Sequence, residues 1–471
     1  MDKKNLITSK ILNKNYHLVI LQFGISSKSE VSNYIRPLGA DKISWAAQNA
    51  GFNAISITRL QLLSVDEQKC IIEKYVTEKT VIGISTSLMS GVYHRSVTGQ
   101  VLETFAETVN SISKKYNNKI VLGGQSANEY VPYFNNSISL ENFDGENDIV
   151  DFLIKEFNFG IHKKPQSNWT IQNDNFQFPV NSFIQKQEML PLEMSRGCIF
   201  SCKFCSFSRI GKEKGSYERN MNHIKDYILQ NYNNYGTQYY FLTSDTVNDN
   251  NDRMNEWCDM LESLPFKIYY SGFFRIDLMN KYIDTSKRLF NTGLRGVNFG
   301  IETFHSEAGK IIEKPFTGQR AKDFMLKLYY DIFESKVCIS VGMIVGLPKE
   351  PENSVYENAE WFKNEGKVIE ASFNPLTLID PKRGLQSSHY ISKFSKNADK
   401  HGIVWLNKDK PLHWKHQHMD YVRACAIARK INKEIKTGLN HIGPWDTVQK
   451  LACNNDYSFI DNYFNQIFSS S

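Results

Sequence analysis

The sequence predicts an α/β protein in three parts: a doubly wound parallel sheet over residues 1–160, a partial (β/α)6 barrel over 189–385, and a small, mostly helical cap over 386–471. Three observations carry this reading. Short apolar runs alternate with amphipathic helical segments through both long parts, the pattern of parallel sheets covered by helices. Between them, residues 161–188 replace periodic hydrophobicity with Asn, Gln, Lys, Pro and isolated aromatics, the composition of a linker. After Pro381 the chain turns polar before its last helical stretches.

In the first part, the apolar run Tyr16–Phe23 precedes a helical segment at Ile43–Asn49. Asn53–Thr58 reads as a strand, Val65–Tyr75 as a helix and Val81–Ser85 as a third strand. Leu102, Phe105, Val109 and Ile112 recur at 3- and 4-residue spacing, which makes one apolar helix face. Lys119–Gly124 and a weaker segment around Ile138 complete the set. In the second part, helices are expected near 221–232 and 250–263. Strands are expected at Gln238–Thr243, Lys267–Gly272, Gly296–Ile301, Cys338–Val345 and Ile369–Phe373. Six strand–helix repeats are too few for a full eight-fold barrel. The cap is read as helices at 416–435 and 444–466.

Composition narrows the function classes. Hydrophobic residues at 41% and charged residues at 23% of 471 are the balance of an ordinary globular protein. The surplus of 56 basic over 50 acidic residues is spread along the chain, so nucleic acid is not expected as a partner. No run approaches about 18 apolar residues, so no membrane span is expected. The first residues lack the apolar core and small-residue cleavage site of a signal peptide, and a cytoplasmic location is expected.

Three of the eight cysteines crowd into Cys198-Ile-Phe-Ser-Cys202-Lys-Phe-Cys205. A disulfide framework spreads its cysteines over a short secreted chain, so this crowding points to metal. Three thiolates on one short loop suit an iron–sulfur cluster and leave one iron open to an outside ligand. A structural zinc site would draw on two separated ligand pairs. His413, His416 and His418 are too irregularly spaced to read as a second metal box. Cys70, Cys258, Cys338 and Cys453 read as core residues.

The spacing, with Phe204 at the aromatic position of C-x3-C-x-aromatic-C, resembles the radical S-adenosylmethionine (SAM) superfamily. The surrounding Glu193–Ser208 segment looks like the form found in members with an N-terminal cobalamin-type domain. The resemblance implies a 4Fe–4S cluster on Cys198, Cys202 and Cys205, whose open iron chelates SAM for reductive cleavage to a 5′-deoxyadenosyl radical. It also places other segments around SAM. Thr243, Ser244 and Asp245 stand where the family faces the methionyl amine, and Arg275 is within reach of the carboxylate. Gly300 and Glu302, in a Phe-Gly-Ile-Glu segment, lie near the ribose, and Gly342 and Gly346 lie along the adenine.

Residues 1–160 resemble the cobalamin-binding domains of such enzymes through Ser85-Thr-Ser-Leu88, Gly123-Gly124 and Asp144-Gly-Glu146. After the first strand, Phe23-Gly-Ile-Ser-Ser-Lys supplies no Asp-x-His-x-x-Gly to ligate cobalt from below. Cobalamin and a cofactor-free docking domain therefore both stand.

Two enzymatic outcomes follow from the resemblance. The first is L-to-D epimerisation at Cα of a ribosomally made peptide, as in proteusin-type epimerases, with Cys425 returning the hydrogen atom. The second is cobalamin-dependent radical C-methylation of a peptide or small natural product. Val422, Cys425, Ala428 and Ile431 share one helix face, so Cys425 also reads as a buried core thiol. Cys338 and Cys453 are weaker candidates for the donor. A flavodoxin- or ferredoxin-type reductant is implied for either enzyme. A non-catalytic iron–sulfur electron-transfer or sensor protein is the alternative, one that has no need of the strand-end segments.

Overall fold

A computed structural model describes residues 15–24, 34–86, 95–124, 127–140, 145–158, 169–205, 217–314, 316–381, 391–406, 413–435 and 443–470. Parts of the motifs read from sequence lie outside these residues: 25–28, 87–88, 144 and 206–208. The chain divides into two compact units, Met1–Pro191 with Asp226–Thr237 and Cys453–Ser471, and Leu192–Lys225 with Gln238–Ala452.

The first unit is built on five parallel strands, β1 (Leu18–Gln22), β2 (Ala54–Ile57), β3 (Val81–Ser85), β4 (Ile120–Gly123) and β5 (Ser137–Leu140). Their order is β2-β1-β3-β4-β5, as in doubly wound sheets whose ligand crevice opens beyond the ends of β1 and β3. Successive side chains point to opposite faces. Val19 and Leu21 therefore join Ile71, Ile72, Phe105 and Val109 of the helices Val65–Tyr75 and Arg95–Tyr116. Leu18 and Ile20 join Ala46, Ala47, Ile149 and Leu153 of the helices Leu38–Asn49 and Gly145–Phe157 on the other side.

The end of the chain departs from the expected cap. Residues 444–466 form two helices, Pro444–Cys453 and Ser458–Ser469, broken where Asn454 and Asn455 take positive φ. The last helix lies in the core of the first unit, where Phe459, Ile460, Tyr463, Phe464 and Ile467 are buried beside Ile57 and Ile71. Its apolar stripe is plain in the sequence, but which face it covers depends on the sheet left short of a third helix.

The stretch read as a linker also differs, from Trp169 onward. It is held by scattered buried aromatics, Trp169, Phe176 and Phe178, and by polar contacts, neither of which carries a hydrophobic period. Asp174 takes the buried Lys42 ammonium at 2.8 Å and the Trp169 indole N–H at 3.2 Å. Glu188 takes Arg36 through both carboxylate oxygens, at 3.0 and 3.1 Å, and Arg59 at 2.8 Å. Arg36 also reaches Asp41 at 3.3 Å, and both guanidinium groups lie 5.3 Å from the Tyr463 ring centre.

The second sheet runs in sequence order through β6 (Leu190–Leu192), β7 (Tyr239–Leu242), β8 (Tyr269–Phe274), β9 (Leu294–Glu302), β10 (Cys338–Val345) and β11 (Glu370–Pro375). From β7 to β11 each pairing is parallel. Six strands are present, as expected, and the five from β7 to β11 each lie within two residues of the bounds read from periodicity. The outer edge of β11 is capped by Asn432 of the helix Tyr421–Glu434, which accepts from Phe373 N–H at 2.9 Å and donates to Phe373 C=O at 2.8 Å. That amide stands in for a missing strand and blunts an exposed edge. Among the described residues no helix is long and apolar enough to cross a membrane.

Tyr463→Phe strands the buried Thr58 N–H that now donates to the tyrosine oxygen at 2.9 Å, and is expected to cost about 1–3 kcal/mol. Glu188→Gln leaves two buried guanidinium groups short of charge and is expected to cost about 3–5 kcal/mol. Denaturant unfolding measures both, and a loss under about 0.5 kcal/mol in either refutes this account of the network.

Candidate functional site

Every residue expected around the cluster and SAM lies on the loop after β6 or toward the C-terminal end of β7, β8, β9 or β10. This is the end where parallel barrels carry their sites. The loop after β6 holds Cys198, Cys202 and Cys205, all half-buried. Its base is closed by Arg196, whose N–H donates to Tyr217 C=O at 3.0 Å while its guanidinium takes both oxygens of Glu193. Arg219 N–H returns to Met194 C=O at 2.8 Å. Cys205 N–H donates to Cys202 C=O at 3.1 Å, and Phe394 N–H to Lys203 C=O at 2.9 Å, so the loop is gripped in its middle as well.

Next to it, Thr243 N–H donates to Leu192 C=O at 2.9 Å and extends the β6–β7 pairing. Ser244 is buried and accepts from Ser195 N–H at 3.1 Å. Asp245 is exposed. The side chain that meets a cysteine is Thr246, its hydroxyl 3.3 Å from the Cys198 sulfur. Sequence reading missed it, because a single Thr one residue beyond a matched segment carries no signal.

Arg275 follows β8. Asn248 bonds both of its backbone groups, at 2.8 and 2.9 Å, and fixes where the side chain starts. The guanidinium gives Nε and Nη2 to Asp277 at 3.0 and 2.9 Å, and Nη1 lies 3.9 Å from the Cys202 sulfur. Its carbon sits 3.9 Å from the centre of the Phe200 ring.

At the end of β9 the register slips, with Gly342 opposite Gly300 but Met343 opposite Glu302. The slip is a bulge, the device that re-aims a side chain at a strand end. Glu302 takes φ 70°, strained backbone for a residue with a side chain. Its carboxylate receives Lys314 Nζ at 2.8 Å, and the same ammonium donates to Gly300 C=O at 2.7 Å. A Cβ on Gly300 would stand 2.4 Å from that carboxylate oxygen and 2.6 Å from Lys314 Nζ, so the glycine makes room for the pair. Lys314 also lies 5.4 Å from the Phe204 ring centre. A lone lysine twelve residues past the glutamate gave no sequence signal. Burial raises the pKa of the Cys202 thiol, and Lys314 and then Arg275 oppose that rise.

Gly342 in β10 and Gly346 just after it have different surroundings. A Cβ on Gly342 would meet nothing within 4 Å, open space of the kind a flat ligand needs. Gly346, at φ 98°, is pressed against protein, since a Cβ there would come within 2.4 Å of the Trp414 ring. Trp414 donates to Leu376 C=O at 2.8 Å and stacks on His416, rings 5° apart. His416 is buried; its Nε2 contacts Gly346 C=O at 2.9 Å and its Nδ1 accepts from His418 N–H at 3.2 Å. The histidine segment therefore clamps the end of β10, a use that its spacing does not reveal.

The helix face read through Val422, Cys425, Ala428 and Ile431 is rotated: Ala428 and Ile431 are buried as expected, but Ala424 and Ile427 join them while Val422 is exposed. Cys425 is half-buried on the flank, hydrogen-bonded to Tyr421 of its own helix. Cys338 bonds Thr447 at the opposite end of its strand from Gly346, and Cys453 is buried in the first unit's core. Neither lies at the strand ends where the site is gathered.

The three-cysteine loop fits a cluster in its donors and setting, with sulfur ligands only, aromatic neighbours and two cations beside Cys202. Among the described residues no three His, Cys, Asp or Glu side chains converge closely enough for a single metal ion.

Residues 192–362 match the Radical SAM superfamily, and the chain thus carries a radical SAM domain, the kind that uses a 4Fe–4S cluster and SAM. The fold is similar to that of the radical SAM methyltransferase TsrM from Kitasatospora setae. With cobalamin and a [4Fe–4S] cluster bound, that structure gives a TM-score of 0.60 at 14% identity over 88% of this chain and 85% of that one. With tryptophan and aza-SAM bound, it gives 0.61 at 13% over 96% and 98%. The cobalamin-dependent SAM radical enzyme OxsB, with aqua-cobalamin and SAM bound, gives 0.53 at 12% over 96% and 67%. No curated protein sequence matches the chain.

The clamp on β10 has a pH signature. Burial holds the His416 pKa below the ordinary histidine value, so its neutral form stabilises the fold fully above about pH 6.5. That contribution is lost as pH falls toward the lowered folded value. Wild-type protein should lose more melting temperature between pH 7.5 and 5.5 than His416→Gln, whose amide still reaches Gly346 C=O. Equal losses refute the assignment.

Proposed function

We propose that the chain, built around its radical SAM domain, is a cobalamin-dependent methyltransferase acting on a carbon of a peptide or small natural product. The observation that carries this is the extent of the likeness to TsrM, which takes in nearly the whole of both chains and so includes the first unit as well as the barrel.

Cys198, Cys202 and Cys205 are the proposed cluster ligands. When bound, the cluster would supply low-potential electron transfer to SAM, and cobalamin would supply a carrier for a methyl group. Around them the chain's own residues orient and enclose. Ser244, Thr246 and Arg196 hold the cysteine loop, Glu302 and Lys314 fix the rim at β9, and Gly342 leaves the flat approach on β10. Phe204 covers the loop beside Lys314. Asp245, exposed at the rim, and Thr243 remain proposed contacts to the methionyl end of SAM. An external flavodoxin- or ferredoxin-type donor is the proposed source of electrons.

In the first unit the crevice beyond β1 and β3 is the proposed cobalamin site. Thr86 gives both its N–H, at 2.9 Å, and its hydroxyl, at 3.0 Å, to Gly123 C=O, which stiffens the edge of that crevice. A Cβ on Gly123 would meet nothing within 4 Å, and Gly124 takes φ 115°. This bare, open strand end suits a large flat ring.

The likeness to TsrM, a radical SAM methyltransferase seen with cobalamin bound, moves methyl transfer ahead of peptide epimerisation. Cys425 owes its placement to Tyr421 rather than to the cysteine loop, which adds nothing to a donor role. The strand-end residues gathered around the cysteines weigh against a purely electron-transferring or sensing protein.

Protein purified anaerobically from cobalamin-fed cells and reconstituted with iron and sulfide should hold about one cobalt per chain. With CD3-labelled SAM and a substrate panel it should deliver a CD3 group to carbon. Deuterium entering Cα from D2O without CD3 transfer would reverse the order of the two readings. Changing Cys198, Cys202 or Cys205 to Ala should abolish the cluster absorption and SAM turnover, and retention of both would remove the cluster assignment.

A further inference from the structure

Two cations flank one cysteine of the loop, and they are held differently. Lys314 is spent on Glu302 and on Gly300 C=O. Arg275 has one nitrogen left after Asp277 takes two, and that nitrogen points at the Cys202 sulfur from 3.9 Å. Four contacts make the aim rigid. Asn248 pins the backbone on both sides, Asp277 holds the fork, and the Phe200 ring lies 3.9 Å beneath the guanidinium carbon. A SAM carboxylate has to compete with Asp277 for this group, so the role that the family resemblance suggests is the less available one.

We propose that Arg275 is a positioning residue that poises the reduction potential of the cluster, with Asp277 setting how much of its charge the cluster feels. The inference rests on the assignment of Cys198, Cys202 and Cys205 as cluster ligands. One-electron reduction adds negative charge to the cluster and its thiolates. A cation donating toward a ligand sulfur stabilises that reduced state and raises the potential, one of the levers by which a protein tunes such a centre. Asp277 is half-exposed beside Arg275 and offsets part of the field. Arg275 and Asp277 would therefore act in opposite directions on the cluster's potential.

The test is an EPR-monitored redox titration of the reconstituted full chain, without SAM, cobalamin or substrate. Arg275→Gln should lower the reduced-to-oxidised ratio at fixed potential about tenfold, which is about 59 mV for one electron. Arg275→Lys, which keeps the charge, should stay close to the native value. Asp277→Asn should move the potential upward. Opposite shifts from the Gln and Asn variants are what an electrostatic role requires. Shifts in the same direction, or none at native iron content, overturn the proposal. If Arg275→Gln takes up no cluster, Asp277→Asn against the native protein decides alone: an upward shift supports the proposal, and any other result ends it. Failure of the unaltered chain to bind four irons would remove the cluster assignment, a result distinct from any of these.

Discussion

Glu188 is the constraint on which the first unit depends. Its carboxylate has no exposed surface and holds two guanidinium groups from separate places in the chain, Arg36 ahead of the helix Leu38–Asn49 and Arg59 beyond β2. Burial alone would push its pKa up, and Arg36 and Arg59 more than reverse that. Burying such ions costs several kcal/mol each unless hydrogen bonds meet their charge. The arrangement is stable only as a set, with Asp41 sharing Arg36 and the Tyr463 ring lying against both cations. Arg59 even adopts φ 62° to take its place. The chain from Trp169 to Glu188 has no regular apolar stripe to register it, and charge pairing does so together with the scattered buried rings of Phe176 and Phe178.

That division explains what could be read in advance. Both sheets, the helix face of Phe105 and Val109 and the cysteine loop were legible, because strand alternation, helical spacing and a three-cysteine motif are local patterns. The linker reading failed at Asp174 and Glu188 because buried polar pairing looks in sequence like solvent exposure. The cap reading failed at Phe459–Ile467 because amphipathicity says that a helix covers something without saying what. At the site, Cys198, Arg275 and Glu302 were legible as matches to motif segments. Thr246, Asn248 and Lys314 were not, since each acts on a neighbour distant in sequence and belongs to no pattern of its own.

The site shares the logic of the core, with charge handled in local pairs. Lys314 answers Glu302 and Asp277 answers Arg275, each pair abutting an aromatic ring of the cysteine loop, Phe204 and Phe200. The rings keep the cations from full hydration, which is why they can influence a half-buried thiol. Behind the rim, Thr303 gives its hydroxyl to the buried Glu350 at 2.7 Å, and Ser354 and Asn358 bond the same carboxyl oxygen. Burial pushes the Glu350 pKa up to about 7. Thr303 is thereby tied to the helix Glu352–Asn364, and the strained turn at Glu302 has a fixed wall on its far side.

The chain order of these contacts constrains how the first unit is made. Thr58 and Tyr463 are 405 residues apart, yet the hydroxyl of one and the ring of the other close the same core. Loop closure costs grow only logarithmically with length, so at equilibrium this separation is tolerable. In time it is not neutral, because folds that depend on contacts of high sequence separation form slowly. Until the last helix is synthesised, one face of the first sheet lacks Phe459, Tyr463 and Phe464, and Arg36, Arg59 and Glu188 lack the ring that shields them. The pairings from β7 to β11 in the second sheet are all between strands adjacent in sequence and have no such wait. The order of synthesis therefore favours a barrel sheet formed before the first unit's core is closed.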